Sequence, residues 1–165
     1  MTAPARPLVK PVAIAAGAAL LVVLLGGLAT STGAWYQSLA FPSWKPPDWL
    51  FGPAWTVIFA LAAASGVHAW RYAPDRTARE RILLAFAANA FLNVLWSLLF
   101  FRLQRPDWAL YEVVPLWLSI LWMMRSVAPC ARLSVWLLAP YLLWVGFAGL
   151  LNWAVVDLNA PFAGR

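Results

Sequence analysis

Residues 82–101 read ILLAFAANAFLNVLWSLLFF, with Arg81 before them and Arg102 after them. A helix of that length rises about 30 Å, the thickness of the hydrocarbon core of a bilayer, and the run holds no charge. It reads as a transmembrane helix, and the composition around it makes it one of several. Of 165 residues, 64% are hydrophobic, 11% are charged and 12 are Trp. A water-soluble domain is about 45–50% apolar and about 25% charged. This chain carries too little polar surface to cover itself in water. At about 20 residues per span, its length leaves room for four or five spans with their loops and for no soluble domain.

Before this run, Arg71 to Arg81 is a short polar connection, and residues 53–70 form an uncharged stretch except for His68 near its end. Pro53 suits the first turn of that helix. Residues 30–52 break the helical pattern with Trp35-Tyr36, Phe41-Pro42-Ser43-Trp44-Lys45-Pro46-Pro47-Asp48-Trp49 and Phe51-Gly52. Each proline fixes φ, lacks an N–H and pushes its predecessor out of the α region, so an ordered, semi-rigid lid at the membrane surface is expected. The first span covers 12–29, behind a basic Pro-rich leader at 1–11. A cleaved signal peptide is the rival reading; the apolar run exceeds the usual length of about 7–15 residues, which favours retention. After the central run come spans at about 108–124 and 133–156, the latter interrupted at Pro140, and a short tail at 157–165.

Five spans put the termini on opposite sides. The leader, the 71–81 loop and the 125–132 turn hold eight Lys and Arg, and the opposite side holds four, Lys45, Arg102, Arg105 and Arg165. By the positive-inside rule the amino terminus is cytoplasmic and the Pro/Trp loop faces outward. The net charge of +6 is read as this topological signal, not as a nucleic-acid surface. The short leader points to a bacterial inner membrane.

One Cys (Cys130) and one His (His68) exclude a disulfide framework, a Cys/His zinc site and an iron–sulfur cluster. No metal site and no required cofactor are expected, and no nucleophile or acid/base pair is visible. Asn89 and Asn93, four apart, share one helix face with Trp96 and Phe100. An amide facing lipid would leave its hydrogen-bonding groups unpaired, so this face looks at protein or ligand; bonding to a neighbouring helix is the plain alternative. In the last span Tyr141, Trp144, Ala148 and Asn152 recur at three or four residues beside Pro140, a face of aromatic, small and polar groups that fits a flat apolar ligand. Trp35, Trp44, Trp49, Trp70 and Trp108 lie near span ends, where an aromatic belt accounts for them; Trp96, Trp117 and Trp144 lie deeper. Glu112, about one turn from Trp108, is expected to reach the interface toward Arg102 or Arg105, and His68 to be interfacial.

These residues fall into four ordered motifs: Trp35-Tyr36-x-x-Leu39; Pro42-x-Trp44-x-Pro46-Pro47-x-Trp49-x-Phe51-x-Pro53-x-Trp55; Leu92-Asn93-x-x-Trp96-Ser97-x-x-Phe100-Phe101; and Pro140-Tyr141-Leu142-Leu143-Trp144-Val145-Gly146-Phe147-Ala148, with Leu151-Asn152 and Asn159 following. In these the chain resembles the TspO/MBR family, the tryptophan-rich sensory proteins and translocator or peripheral benzodiazepine receptors. The resemblance implies an all-α five-helix membrane bundle, commonly a homodimer, that binds protoporphyrin IX, haem, cholesterol and isoquinoline or benzodiazepine ligands within the bundle under the first loop. Carried over by motif, the ligand-binding residues are Trp44, Pro46, Pro47, Trp49, Trp55, Asn93, Trp96, Tyr141, Trp144, Ala148 and Asn152. Bacterial relatives are linked to light-dependent porphyrin breakdown, which implicates Trp55 and Trp144 as photochemical residues. Two departures stand out. Phe41-Pro42 replaces a Lys-Pro, with Lys45 as a substitute cation, and residues 150–157 lack the Tyr and basic residue of the steroid motif, a weak pattern even when complete.

Three functions follow as expectations. A tetrapyrrole receptor or carrier comes first, with affinity dominated by burial against Trp and with metal-free porphyrin bound comparably to haem, because no axial ligand is evident. A light-dependent porphyrin-degrading protein is second, with bound porphyrin as sensitiser and indoles as electron donors. A lipid or sterol transporter is third, and the chain shows no inverted repeat.

Overall fold

The computed structural model describes residues 9–162, and the elements there are all helical. Arg6 and the rest of residues 1–8, and the last three residues of the tail, lie outside the described residues. The helices are α1 (Val9–Ala29), a short α2 (Ala34–Gln37), α3 (Asp48–Tyr72), α4 (Arg76–Ser97), α5 (Pro106–Val127) and α6 (Arg132–Asn159). All but α2 are long and apolar enough to cross a membrane, five in total among the described residues. They form a closed ring: α1 lies against α3, α3 against α6, α6 against α5, α5 against α4, and α4 back against α1.

Several boundaries have local causes. The Asp75 side chain caps α4 by accepting from the Ala78 N–H at 2.7 Å, and Pro106 opens α5 where its missing N–H costs nothing. Helix α3 starts at Asp48, so Pro53 sits inside it and not at its start as the sequence suggested. Pro47 is the N-cap and fixes the helical entry, while Pro53 falls early enough in the helix to interrupt little of its ladder. Helix α4 does not run on regularly to Phe101: Leu98–Arg102 widen into a π-helical turn, closed by Leu103 N–H donating to the Leu98 carbonyl at 2.9 Å. Gln104, at φ 53°, then ends the segment in the left-handed region.

Three buried clusters stack along the ring. At the end carrying the 71–81 connection, alanines 62, 69, 73, 78 and 85 bring α3 and α4 close around Met123, Val127 and Leu138. Gly66 serves the same approach, since a Cβ there would stand 3.1 Å from the Phe86 ring. In the middle lie Ile58, Val113, Leu116, Ile120, Tyr141 and Val145. Under the Pro/Trp loop are Tyr36, Phe100, Ala109 and Val155. Helix α1 turns Ile14, Leu20, Leu24 and Leu28 outward, as a lipid-facing helix does.

Candidate ligand site beneath the Pro/Trp loop

The loop is held at both ends. The Tyr36 hydroxyl donates to Asp48 Oδ1 at 2.9 Å, Lys45 Nζ meets the same oxygen at 2.5 Å, and the Lys45 ammonium lies 4.4 Å from the Phe41 ring centre. Burial, and then the Asp48 carboxylate, push the Tyr36 hydroxyl well above the ordinary tyrosine range, so it remains a donor. Lys45 is therefore committed to Asp48 and is not free to replace the missing cation at position 41. At the other end, Asn159 clasps the Ala40 peptide: its Oδ1 accepts from Ala40 N–H and its Nδ2 donates to Ala40 C=O, both at 2.8 Å. Asn159→Ala removes both bonds. Amide hydrogen exchange across residues 38–45 is expected to accelerate about tenfold, the consequence of losing ~1–2 kcal/mol of tethering; unchanged exchange would show that the clasp holds nothing.

Beneath the loop, the polar residues of α4 and α6 are bonded to one another. Tyr141 donates to Asn89 Oδ1 at 3.0 Å and accepts from Asn93 Nδ2 at 3.1 Å, while Asn89 Nδ2 donates to Ser119 Oγ at 2.8 Å. This interhelical chain is the plain alternative to ligand contact for the two amides, and it makes Asn93 part of the frame that holds Tyr141. Around it, Trp55 stacks on Phe59 at 5.2 Å and meets Tyr141 edge-on at 6.0 Å. Trp96 stacks on Phe100 at 5.1 Å, the π-helical turn aiming the latter inward.

A second group lies on the α3/α6 side. Trp144 contacts Phe51 and Phe147 at 5.8 and 5.7 Å, and Trp44 reaches Phe147 at 5.8 Å. These rings adjoin an open apolar groove of about 590 Å³ between α3 and α6, whose walls include Pro53, Val57, Ile58 and Trp144. Phe51, Phe59 and Phe147 thus belong with the expected residues although they were not among them; the aromatic run they continue was the available signal.

The remaining expected residues sit apart. Trp49 points outward at 71% exposure, because α3 begins before it and its helical position faces away from the ring. Pro46 is half-buried, Pro47 exposed and Ala148 half-buried. Asn152 is buried and donates to the Pro106 carbonyl at 2.8 Å, so half of its amide fastens α6 to the start of α5. Its Oδ1 and the indole N–H groups of Trp96 and Trp144 are buried without a partner. Glu112 does not reach the interface: it is 8% exposed, and both its oxygens are unpartnered. Arg105 instead pairs through two nitrogens with Asp107 and lies 4.2 Å over the Trp108 ring. His68 Nδ1 lies 3.1 Å from Ser134 Oγ, which ties α3 to α6 far from the loop.

The sequence matches the TspO/MBR family over residues 13–157. It is 38% identical over 154 residues to the tryptophan-rich protein TspO of Chlorobaculum tepidum, covering 89% of this chain and 94% of that protein. Protein CrtK of Rhodobacter capsulatus is 36% identical over 133 residues, covering 81% of this chain and 83% of that protein. The translocator protein of Sus scrofa is 31% identical over 147 residues, covering 82% and 84%.

Proposed function

Because the chain belongs to the TspO/MBR family, and is with its five apolar helices an integral multi-pass membrane protein with a family-level receptor and transport role, we propose that it binds tetrapyrroles, protoporphyrin IX or haem, within the bundle beneath the loop. The observation that carries this reading is the convergence of aromatic faces under an anchored lid, Trp55 with Phe59 and Tyr141 on one side and Trp144 with Phe51 and Phe147 on the other. Such surfaces stack on a flat macrocycle, and the free indole N–H groups of Trp96 and Trp144 supply donors to its polar edge. Flat isoquinoline or benzodiazepine-like molecules fit the same description. The protein acts as a homodimer in a bacterial inner membrane, with the amino terminus cytoplasmic; the excess of Lys and Arg on that side supports the orientation.

Tryptophan-fluorescence quenching of the detergent-purified protein by protoporphyrin IX in the dark tests the reading. Saturable micromolar quenching is expected, weakened about tenfold or more in Trp144→Ala, since base-type stacking on an indole is worth ~1–3 kcal/mol. Haem is expected to bind comparably; an affinity more than about a hundredfold greater would require an axial ligand and contradict this account. The second reading, light-driven porphyrin degradation, is favoured by the position of Trp55 and Trp144 at the proposed site. If it holds, Trp55→Phe or Trp144→Phe slows the loss of bound porphyrin absorbance under illumination while sparing binding in the dark.

A further inference from the structure

Glu112 has no part in the aromatic stacking beneath the loop, yet its carboxyl is buried without a partner. It is 8% exposed within a membrane helix, and neither carboxyl oxygen has a hydrogen-bond partner. Its level in the ring is set by its neighbours. Asn89 and Ser119 bond across antiparallel α4 and α5, so two turns further along each helix Trp96 and Glu112 come to the same height. On one side of that height lies the layer of Tyr141, Val113 and Leu116, and on the other the layer of Tyr36, Phe100 and Ala109 under the loop. The Trp96 indole N–H, at this same height, is also buried without an acceptor. An unpaired acceptor and an unpaired donor therefore occur at one level between two largely apolar layers, where each is expensive to leave unsatisfied.

The layers on either side of Glu112 hold two tyrosine hydroxyls, both committed elsewhere: that of Tyr141 on α6 is bonded to Asn89 and Asn93, and that of Tyr36 under the loop is bonded to Asp48. The middle layer is completed by Asn93 and Trp96 of α4 and by Trp55 and Phe59 of α3. Among the described residues no cation pairs with the carboxyl. A ligand ammonium would satisfy Glu112 but leave the indole N–H stranded. A carboxylic acid offers a donor and an acceptor on one carbon and satisfies both.

We propose that Glu112 and Trp96 anchor a carboxylic acid group of the ligand, the two carboxyl groups sharing one proton and the Trp96 indole N–H donating to the ligand's carbonyl oxygen. This rests on the tetrapyrrole reading and specifies which edge of the macrocycle enters first. It also accounts for how an acidic ligand is held when the one lysine of the loop is taken by Asp48. Two carboxyl groups in contact bind one proton between them, so the bound state needs that proton and is lost as pH rises.

The test compares protoporphyrin IX with its dimethyl ester, titrated by tryptophan quenching in the full-length protein and in Glu112→Leu and Glu112→Gln. In the wild type the diacid is expected to bind about tenfold more tightly than the ester near pH ~6, the worth of one charge-assisted hydrogen bond, and to lose that advantage near pH ~8. Glu112→Leu removes the preference, so that diacid and ester bind equally. Glu112→Gln, whose amide donates and accepts without a shared proton, keeps the diacid and loses the pH dependence, so either variant alone, once folded, is decisive. Equal binding of acid and ester by the wild type, or a preference that survives Glu112→Leu, overturns the anchor while the ester signal upholds tetrapyrrole binding. Failure of both porphyrins to bind the wild type overturns that reading and the anchor with it.

Discussion

Tyr141→Phe is expected to destabilise the bundle by about 2–3 kcal/mol, seen as a fall of roughly 5–10 °C in the thermal midpoint in detergent. The substitution removes one oxygen and orphans two groups, because that hydroxyl is both the donor to Asn89 Oδ1 and the acceptor for Asn93 Nδ2. Tyr141 is 1% exposed, and the two amides are 5% and 7% exposed, so water cannot replace the lost partners. Each stranded group costs ~1–3 kcal/mol, reduced because an unfolded chain in lipid also finds partners. Tyr72→Phe is the control: Tyr72 is 54% exposed at the end of α3, and its replacement should leave the midpoint within about 1 °C. A Tyr141→Phe protein as stable as wild type would mean that Asn89 and Asn93 re-pair with each other, and that the chain through Ser119 is not what joins α4, α5 and α6.

Ala69→Leu is the second large effect, acting at the opposite end of the ring. Ala69 has no exposed surface and lies in one cluster with Ala62, Ala73, Ala78 and Ala85, where α3 and α4 meet α5 and α6. Lipid tails are as apolar as leucine, so these helices gain little from burying hydrophobic surface against each other and depend on close packing. Three added carbons have no void to enter and must push α4, Met123 or Leu138 aside, at ~3 kcal/mol or more. The expected readouts are a thermal midpoint lower by about 10 °C and a reduced yield of monodisperse protein. Leu83→Ala, at a site 49% exposed toward lipid, is expected to change the midpoint by no more than about 1 °C. If Ala69→Leu were equally silent, the alanine seam would not be the tight contact described.

Span number was legible because it is a local property: twenty uncharged residues between two arginines can be little else in a bilayer. The same holds for the prolines of the loop, which forbid a continuous helix whatever surrounds them, and for the ordered Trp, Pro and Asn motifs that place the chain in its family. Which side of each helix faces inward was far less legible. In water an apolar stripe marks the buried face, but in lipid the inward and outward faces are both apolar. Trp49 and Trp55 illustrate this, as similar residues on one helix of which the first faces outward and the second meets Tyr141. Polar residues on the spans escape the ambiguity, and Asn89 and Asn93 were placed inward for that reason. Their partners, Ser119 and Tyr141, are distant in sequence and are chosen by how α4, α5 and α6 cross. Glu112 shows the limit most clearly. Distance along the helix from Trp108 suggested an interfacial carboxylate paired with arginine, whereas the rotation of α5 turns it inward and Arg105 is taken by its neighbour Asp107. Sequence alone determined the membrane, the number of spans, the lid and the family, since hydrophobic length and proline stereochemistry act within a few residues. Tertiary structure alone decided which aromatic residues converge and which polar atoms are left without partners, since both depend on the relative rotation of helices that no local segment encodes.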